Sequence, residues 1–446
     1  MFGNFLAVVS TLGVLTFALF HIAAPGTNPY VDIVGYLMIP SVLVLGLLII
    51  PVGVFIKSWR IHRRYPEEHL AFRFPKIDFN DPEQRKAAKV VVGGTFVLLP
   101  LVGVSSYHGY DYTDSAGFCA KACHEVMEPP ATTYEHSAHA RVSCAECHIG
   151  SGASWFVKSK LSGLRQVYAV TFHTYAMPIP TPVTSLRPAR DTCEQCHWPE
   201  KFHGDIINVV REFASDERNL ETTTTLQVHV GGGGTGPGGP TGIHWHVNPG
   251  NRIEFVATDA KRQVIPWVKL TDPQGNERVY ETEGVSAADL ARGEPRTMDC
   301  IDCHNRPTHP FAGSAEREID RAIGFGEIPK TLPFVKREAV TLVKSAYPSQ
   351  EAATAAIADL LGQFYRTNYP EILNTRRAEV DQAIRGTQRV YQRNVFPTMR
   401  VTWGTHPNNI GHMDFPGCFR CHDDTHKTKD GQTIRQDCEL CHKMQQ

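Results

Sequence analysis

Cys144-Ala-Glu-Cys147-His148 sets two thiols three positions apart, with an imidazole directly after the second. The pattern returns at Cys193-Glu-Gln-Cys196-His197, Cys300-Ile-Asp-Cys303-His304, Cys418-Phe-Arg-Cys421-His422 and Cys438-Glu-Leu-Cys441-His442. A sixth copy, Cys119-Ala-Lys-Ala-Cys123-His124, carries one extra residue between its thiols. Together they use all 12 cysteines. C-x-x-C-H is the attachment signature of haem c: the two thiols form thioethers to the vinyl groups and the adjacent His reaches the iron. Zinc knuckles or redox dithiols explain paired cysteines but not a His after every second one. The motifs, numbered one to six in chain order, therefore imply six covalent haems with His124, His148, His197, His304, His422 and His442 as proximal ligands.

The chain has 21 His, more than the proximal positions need. His203 follows motif three, His309 motif four and His426 motif five by only four to six residues. A side chain so close on the proximal side cannot easily wrap to the far face of its own haem, so these are expected to serve neighbouring haems. His139 and His412 precede motifs and are further distal candidates. His246 is another, within Ile243-His244-Trp245-His246, whose alternation suggests a strand with one His facing inward.

The averages describe a soluble protein: 446 residues, 45 Lys+Arg against 46 Asp+Glu, and a mean hydropathy of −0.25. A net charge of −1 excludes a general attraction to nucleic acid, and 42% hydrophobic residues exclude a mainly disordered chain. The averages conceal a segregation, because residues 1–56 hold no Lys or Arg and one acid, Asp32. Phe5–Ala24 and Val34–Ile56 are each long enough to cross the roughly 30 Å hydrocarbon layer. Val90–Tyr107 is a third, shorter apolar run. The first run lacks the basic start of a signal peptide. Between the second and third, residues 57–89 carry nine Lys/Arg against five Asp/Glu. The positive-inside rule places that loop and the N-terminus in the cytoplasm and everything after Tyr107 outside it.

The remaining stretches read as structure rather than chemistry. Gly231–Gly242 is a flexible Gly/Pro turn without the ending of a phosphate-binding loop. Ile253–Val256, Val264–Leu270 and Arg278–Glu281 read as a small β-meander, and residues 314–395 as helical. There Ser349 can cap a helix whose Ile357, Leu360, Leu361 and Phe364 form one apolar stripe. Ser154–Phe172 interleaves Trp155, Phe156, Leu161, Leu164, Tyr168 and Phe172 with Lys158, Lys160 and Arg165, a pattern suited to a lipid interface.

The fold class expected is a mainly α, membrane-anchored multihaem cytochrome c. It has three N-terminal transmembrane helices and a periplasmic haem-packed domain with little regular structure, plus a β-meander insertion and a helical insertion. The domain reading is an anchor over 1–107 (spans about 5–24, 34–56 and 90–107), haems one to three over 108–215 and a Gly-rich loop with β insertion over 216–299. Motif four occupies 300–312, the helical insertion 313–395 and a C-terminal dihaem segment 396–446.

The chain resembles the NapC/NirT family of membrane-anchored multihaem cytochromes c. The likeness rests on the apolar span, Phe118-Cys119 through Met127, Ser137-Ala138-His139-Ala140-Arg141 before motif two, and Cys193–His197. It covers about residues 90–310; two further spans and the last two motifs look like an extension. The resemblance implies oxidation of membrane quinol at the outer face of a bacterial inner membrane, with electrons passed along the haems to a periplasmic cytochrome or reductase. It implies a Met on the first haem, for which Met127 is the position, three residues after His124. It also implies a Lys paired with an acid at the quinol: Lys158 and Lys160 are the Lys positions, Gln166 stands where the acid is expected, and Glu125, Glu128 and Asp114 are nearby. Two other readings stay open: an electron-transfer subunit of a larger membrane complex without its own quinol site, or a terminal multihaem reductase. A homo-oligomer or larger complex fits any of them.

Overall fold

The computed structural model describes residues 2–23, 35, 38–64, 78–121, 124–183, 186–202, 204–232 and 242–445. The chain divides into two units, Met1–His124 and Glu125–Gln446.

In the first unit α1 (Phe2–Ala23) and α2 (Ile39–Arg64) pack side by side, running in opposite directions. Small residues make the contact. A Cβ on Gly3 would lie 2.9 Å from the Gly46 carbonyl oxygen, and one on Gly46 would lie 2.9 Å from the Ala7 nitrogen. Lipid offers no hydrophobic force between helices, so such close backbone approach is how apolar helices associate there. Asp81 caps α3 (Pro82–Asp114) by accepting from the Glu83 N–H, with Pro82 in the first helical position. The Ile39–Lys57 stretch of α2 and the whole of α3 are long and apolar enough to cross a membrane. Along α3 the apolar side chains face outward, Phe96 being 81% exposed, an arrangement that water would penalise and hydrocarbon would not. The described helices differ from the expected spans at their ends, and α3 most: it begins earlier, at Pro82, and runs seven residues beyond Tyr107. At 33 residues it is roughly 50 Å long, more than the roughly 30 Å of a hydrocarbon layer, and the short Ala116–Lys121 helix, which carries Cys119, follows it.

The second unit begins just after motif one, with a short helix that ends at Glu135, another at motif two (Cys144–His148) and α4 (Ala153–Thr171). Two antiparallel sheets follow. One has the order β1-β2-β7, from β1 (Ile206–Phe213), β2 (Glu221–Val228) and β7 (His442–Gln445). The other has the order β5-β4-β3-β6, from β3 (Arg252–Val256), β4 (Trp267–Thr271), β5 (Glu277–Glu281) and β6 (Arg296–Thr297). The β1–β2 hairpin lies across the 215/216 boundary and was missed in the sequence, although β-branched Ile206-Ile207, Val209-Val210 and Thr222–Thr225 carry its signal. Each sheet holds a motif at a strand end. β6 leads into motif four, and β7 begins at His442 of motif six and pairs in register with Thr225–Val228. The core of the second sheet, Ile253, Phe255, Ile265 and Val268, packs against Trp245 and Cys421.

Four helices, α5 (Ala315–Gly324), α6 (Val335–Lys344), α7 (Gln350–Asn368) and α8 (Arg377–Asn394), enclose a separate core. Ser349 caps α7, its hydroxyl accepting from the Ala352 N–H. The buried stripe of α7 is Ala353, Ile357, Leu361 and Tyr365, at intervals of four. Leu360 is 46% exposed and Phe364 only partly buried, which corrects the stripe read from sequence: a strict i, i+4 line turns Leu360 away. Phe213 of β1 enters this core, and buried Asn219 stitches the hairpin turn to it through the Lys330 and Leu332 carbonyls and the Lys336 N–H. Leu361→Ala should leave a cavity costing about 2–5 kcal/mol, read as a lower unfolding midpoint of the helical signal.

Candidate functional site

Five motif histidines each face one other histidine. His148 lies 6.3 Å from His309, His197 6.0 Å from His139 and His304 6.1 Å from His244, measured between ring centres. His422 lies 5.8 Å from His246, and His442 lies 6.2 Å from His412. With metal–nitrogen bonds of roughly 2 Å and about 1 Å from nitrogen to ring centre, two imidazoles on one iron stand about 6 Å apart. The spacing therefore fits an iron between each pair of rings. Among the described residues no three His, Cys, Asp or Glu side chains gather as a cage for a bare metal ion.

The outer nitrogens are held by backbone. Nδ1 of His139, His244, His246 and His309 lies 2.7–3.1 Å from the carbonyl oxygens of Pro307, Val230, Ile243 and Pro130. Donation from Nδ1 leaves the Nε2 lone pair for a metal, the usual support of a ligating His. His422 is held likewise by the Arg435 carbonyl, while His412 stacks on Phe419 at 4.2 Å. Burial lowers the pKa of His148, His246 and His304, and brings His309 to about 4, so these rings are neutral at neutral pH and able to ligate.

Cys303 and Cys421 are not poised as thiolates, the form that binds zinc or attacks disulfides. Burial raises Cys303 to about 11 and Cys421 to about 12, which keeps them protonated in the unmodified chain. The neighbours of the motif thiols run in chain order. Cys147 feels Cys193 and Cys196, Cys193 and Cys300 share a hydrogen bond, Cys303 lies near Cys418 and Cys421, and Cys441 near Cys418. Side chains fasten the same succession. Asp299 ahead of motif four accepts from the Ala189 N–H ahead of motif three. Buried Asp302, inside motif four, accepts from Arg296 at 2.8 Å, while Arg420, inside motif five, donates to the Asp302 and Arg262 carbonyls.

Two readings from sequence need correction. His426 is buried with both ring nitrogens occupied, Nδ1 2.9 Å from Asp423 and Nε2 2.6 Å from the Ile265 carbonyl oxygen. That binding pins the motif-five loop to the second sheet and leaves no lone pair for an iron. The Ile243–Val247 segment is a 3-10 turn, not a strand. Its rotation of about 120° per residue sends His244 and His246 to different motif histidines, so both face inward. Strand alternation would turn only one of the two inward; the 3-10 period brings in His244 as well.

The motif-one region is less fully described. Cys119 lies on the Ala116–Lys121 helix and Met127, half-buried, on the His124–Glu135 helix. Cys123 and His203 lie outside the described residues, as do the side chains of His124 and Glu125. Glu128 is exposed. Lys158 and Lys160 project from α4 with their ammonium groups 4.4 Å over the Trp155 ring and 4.8 Å over the Phe156 ring. Gln166 is exposed on the same helix, with its amide 3.5 Å from the Ser162 hydroxyl. Val157, Leu161, Leu164, Val167 and Tyr168 are all more than half exposed, an apolar face flanked by bases.

The N-terminal region of the NapC/NirT cytochrome c family matches residues 81–178, which hold α3, motifs one and two, and α4. Over its full length the chain is 42% identical to the cytochrome c-type protein ImcH of Geobacter sulfurreducens, covering 87% of that protein. It is 29% identical over 110 residues, 24% of this chain, to the cytochrome c nitrite reductase subunit NrfH of Nitratidesulfovibrio vulgaris, covering 67% of it. It is 25% identical over 168 residues, 33% of this chain, to the cytochrome c-type protein NapC of Haemophilus influenzae, covering 82% of it. No solved structure matches the chain.

Proposed function

The chain belongs to the NapC/NirT family of membrane-anchored cytochromes c, electron-transfer proteins with covalent haem c, and from that premise we propose that it oxidises membrane quinol and relays the electrons through six haems to a periplasmic acceptor. In this reading all three apolar helices, α1 included, cross the bilayer, with the N-terminus and the basic 57–89 loop in the cytoplasm. The observation that carries the proposal is the series of paired imidazoles whose motifs neighbour one another in chain order from Cys147 to Cys441. Bound haem supplies reversible one-electron chemistry at iron. At motifs two to six the paired imidazole would hold the iron opposite the motif His, which suits electron transfer rather than substrate reduction at iron. His139, His244, His246, His309 and His412 are the distal ligands of this scheme, and Met127 belongs to the first haem.

Quinol enters at motif one, at the end of α3, where the span delivers it to the membrane surface. A two-electron donor releases two protons there, so a base is required; the carboxylates of Glu125 and Glu128 are the acceptors in this reading, with Lys158 and Lys160 on α4 as their cationic partners. The purified chain should contain six haems by pyridine haemochrome and should be reduced by a quinol in proteoliposomes. Lys158→Gln with Lys160→Gln should slow that reduction about 100-fold and leave reduction by dithionite unchanged. Six attached haems that no quinol reduces would remove the quinol step and leave a subunit of a larger complex.

A further inference from the structure

Six residues, His304–His309, serve three haem sites. His304 faces His244, the Pro307 carbonyl holds His139 opposite His197, and His309 faces His148. At the centre of this segment stands Arg306. Its guanidinium, 5.7 Å from the Phe311 ring centre, donates to the Thr181 hydroxyl at 2.9 Å and more weakly to the Pro407 carbonyl at 3.4 Å. Both acceptors are neutral, and no carboxylate among the described residues forms an ion pair with it. The surroundings add no negative charge. Buried His406 approaches Thr181 at 3.4 Å, and Lys261 donates to the Thr405 carbonyl. A guanidinium carries five N–H donors in a planar fork, and a charge drawn from water requires a partner to offset its desolvation. Haem c brings two propionate carboxylates with each ring, the planar acceptors that such a fork pairs with best.

We infer that Arg306 is the counter-charge of a haem propionate at the junction of motifs two, three and four, and that its positive charge holds a haem there at a higher reduction potential. The sign follows from Coulomb's law: a nearby cation favours the ferrous state, which carries one positive charge fewer than the ferric. The inference rests on the haem-ligation scheme above, so the full-length chain in detergent is tested for both. Wild-type chain should show six haems and a low-spin spectrum; fewer haems or predominantly high-spin iron would defeat the ligation scheme itself. In a redox titration followed at the haem α-band, Arg306→Gln should keep six haems and move one component to lower potential, whereas Arg306→Lys should restore most of the shift. An Arg306→Gln titration that superimposes on wild type overturns the inference. So does an Arg306→Lys chain shifted as far as Arg306→Gln, since packing and not charge would then be responsible. If both variants lose haem, Arg306 is a structural anchor of its segment and the proposal also fails.

Discussion

His244→Leu is expected to leave all haems attached and to convert one of them from low to high spin, while His426→Leu leaves every haem low spin. The two residues have similar chemistry and lie near motif histidines or motif loops, yet their rings are engaged differently. His244 faces His304 with the ring planes 4° apart, and its Nδ1 is held by the Val230 carbonyl. Its loss opens an axial position without disturbing the thioethers, so haem counts stay the same and the electron paramagnetic resonance spectrum gains a high-spin signal. Transfer past motif four should fall at least about 10-fold, the scale on which even an outer partner of a metal ligand acts. His426 instead bridges Asp423 and the Ile265 carbonyl. Its removal strands the buried Ile265 carbonyl at about 1–3 kcal/mol and leaves the partly exposed Asp423 carboxylate to water, a loss of stability with no spectroscopic change. A high-spin signal from His426→Leu, or none from His244→Leu, would reverse the assignment.

The second large effect lies away from the haem sites. Lys336 and Asp320 form an ion pair inside the helical bundle, with side chains only 5% and 9% exposed. Lys336 also donates to the Glu316 carbonyl, and Asp320 also accepts from the Phe213 N–H of β1. Lys336→Met alone leaves a buried carboxylate without its cation, which should cost about 3–5 kcal/mol. The double variant with Asp320→Leu should recover part of that loss, because desolvation of an unpaired charge is then removed from both sides. Thermal unfolding followed by circular dichroism measures both. No motif lies within α5–α8, so the haem bands of the single variant at low temperature should match wild type. Loss of haem on Lys336→Met would show that the bundle is needed to assemble the haem sites.

Much of the chemistry was legible without coordinates, because covalent attachment is a local property. Two thiols and a following imidazole must lie on one short segment to grasp one porphyrin edge, so each motif is complete within about five residues. Apolar length is local in the same sense, and α2 and α3 are recognisable from composition alone. The cap at Ser349 was readable for the same reason, since a cap and its N–H are three residues apart.

Distal partners depend on the tertiary fold. His309 follows motif four and meets motif two, 161 residues earlier in number, while His139 precedes motif two and meets motif three. Offsets along the chain could therefore suggest that spare histidines serve neighbours, but not which neighbours. His244, His246 and His426 show the limit most clearly. Whether the first two point the same way depends on a 3-10 turn rather than a strand, and whether the third is available depends on the carbonyl of Ile265, 161 positions away. Arg306 gave no signal at all in the sequence, because a cation is unpaired only once every neighbour is in place. By itself, then, the sequence determined the paired-cysteine motifs and the apolar helices, which are short-range facts of spacing and hydropathy. Only the tertiary structure decided which imidazole faces which, since that is settled by backbone carbonyls and packing brought together from opposite ends of the chain.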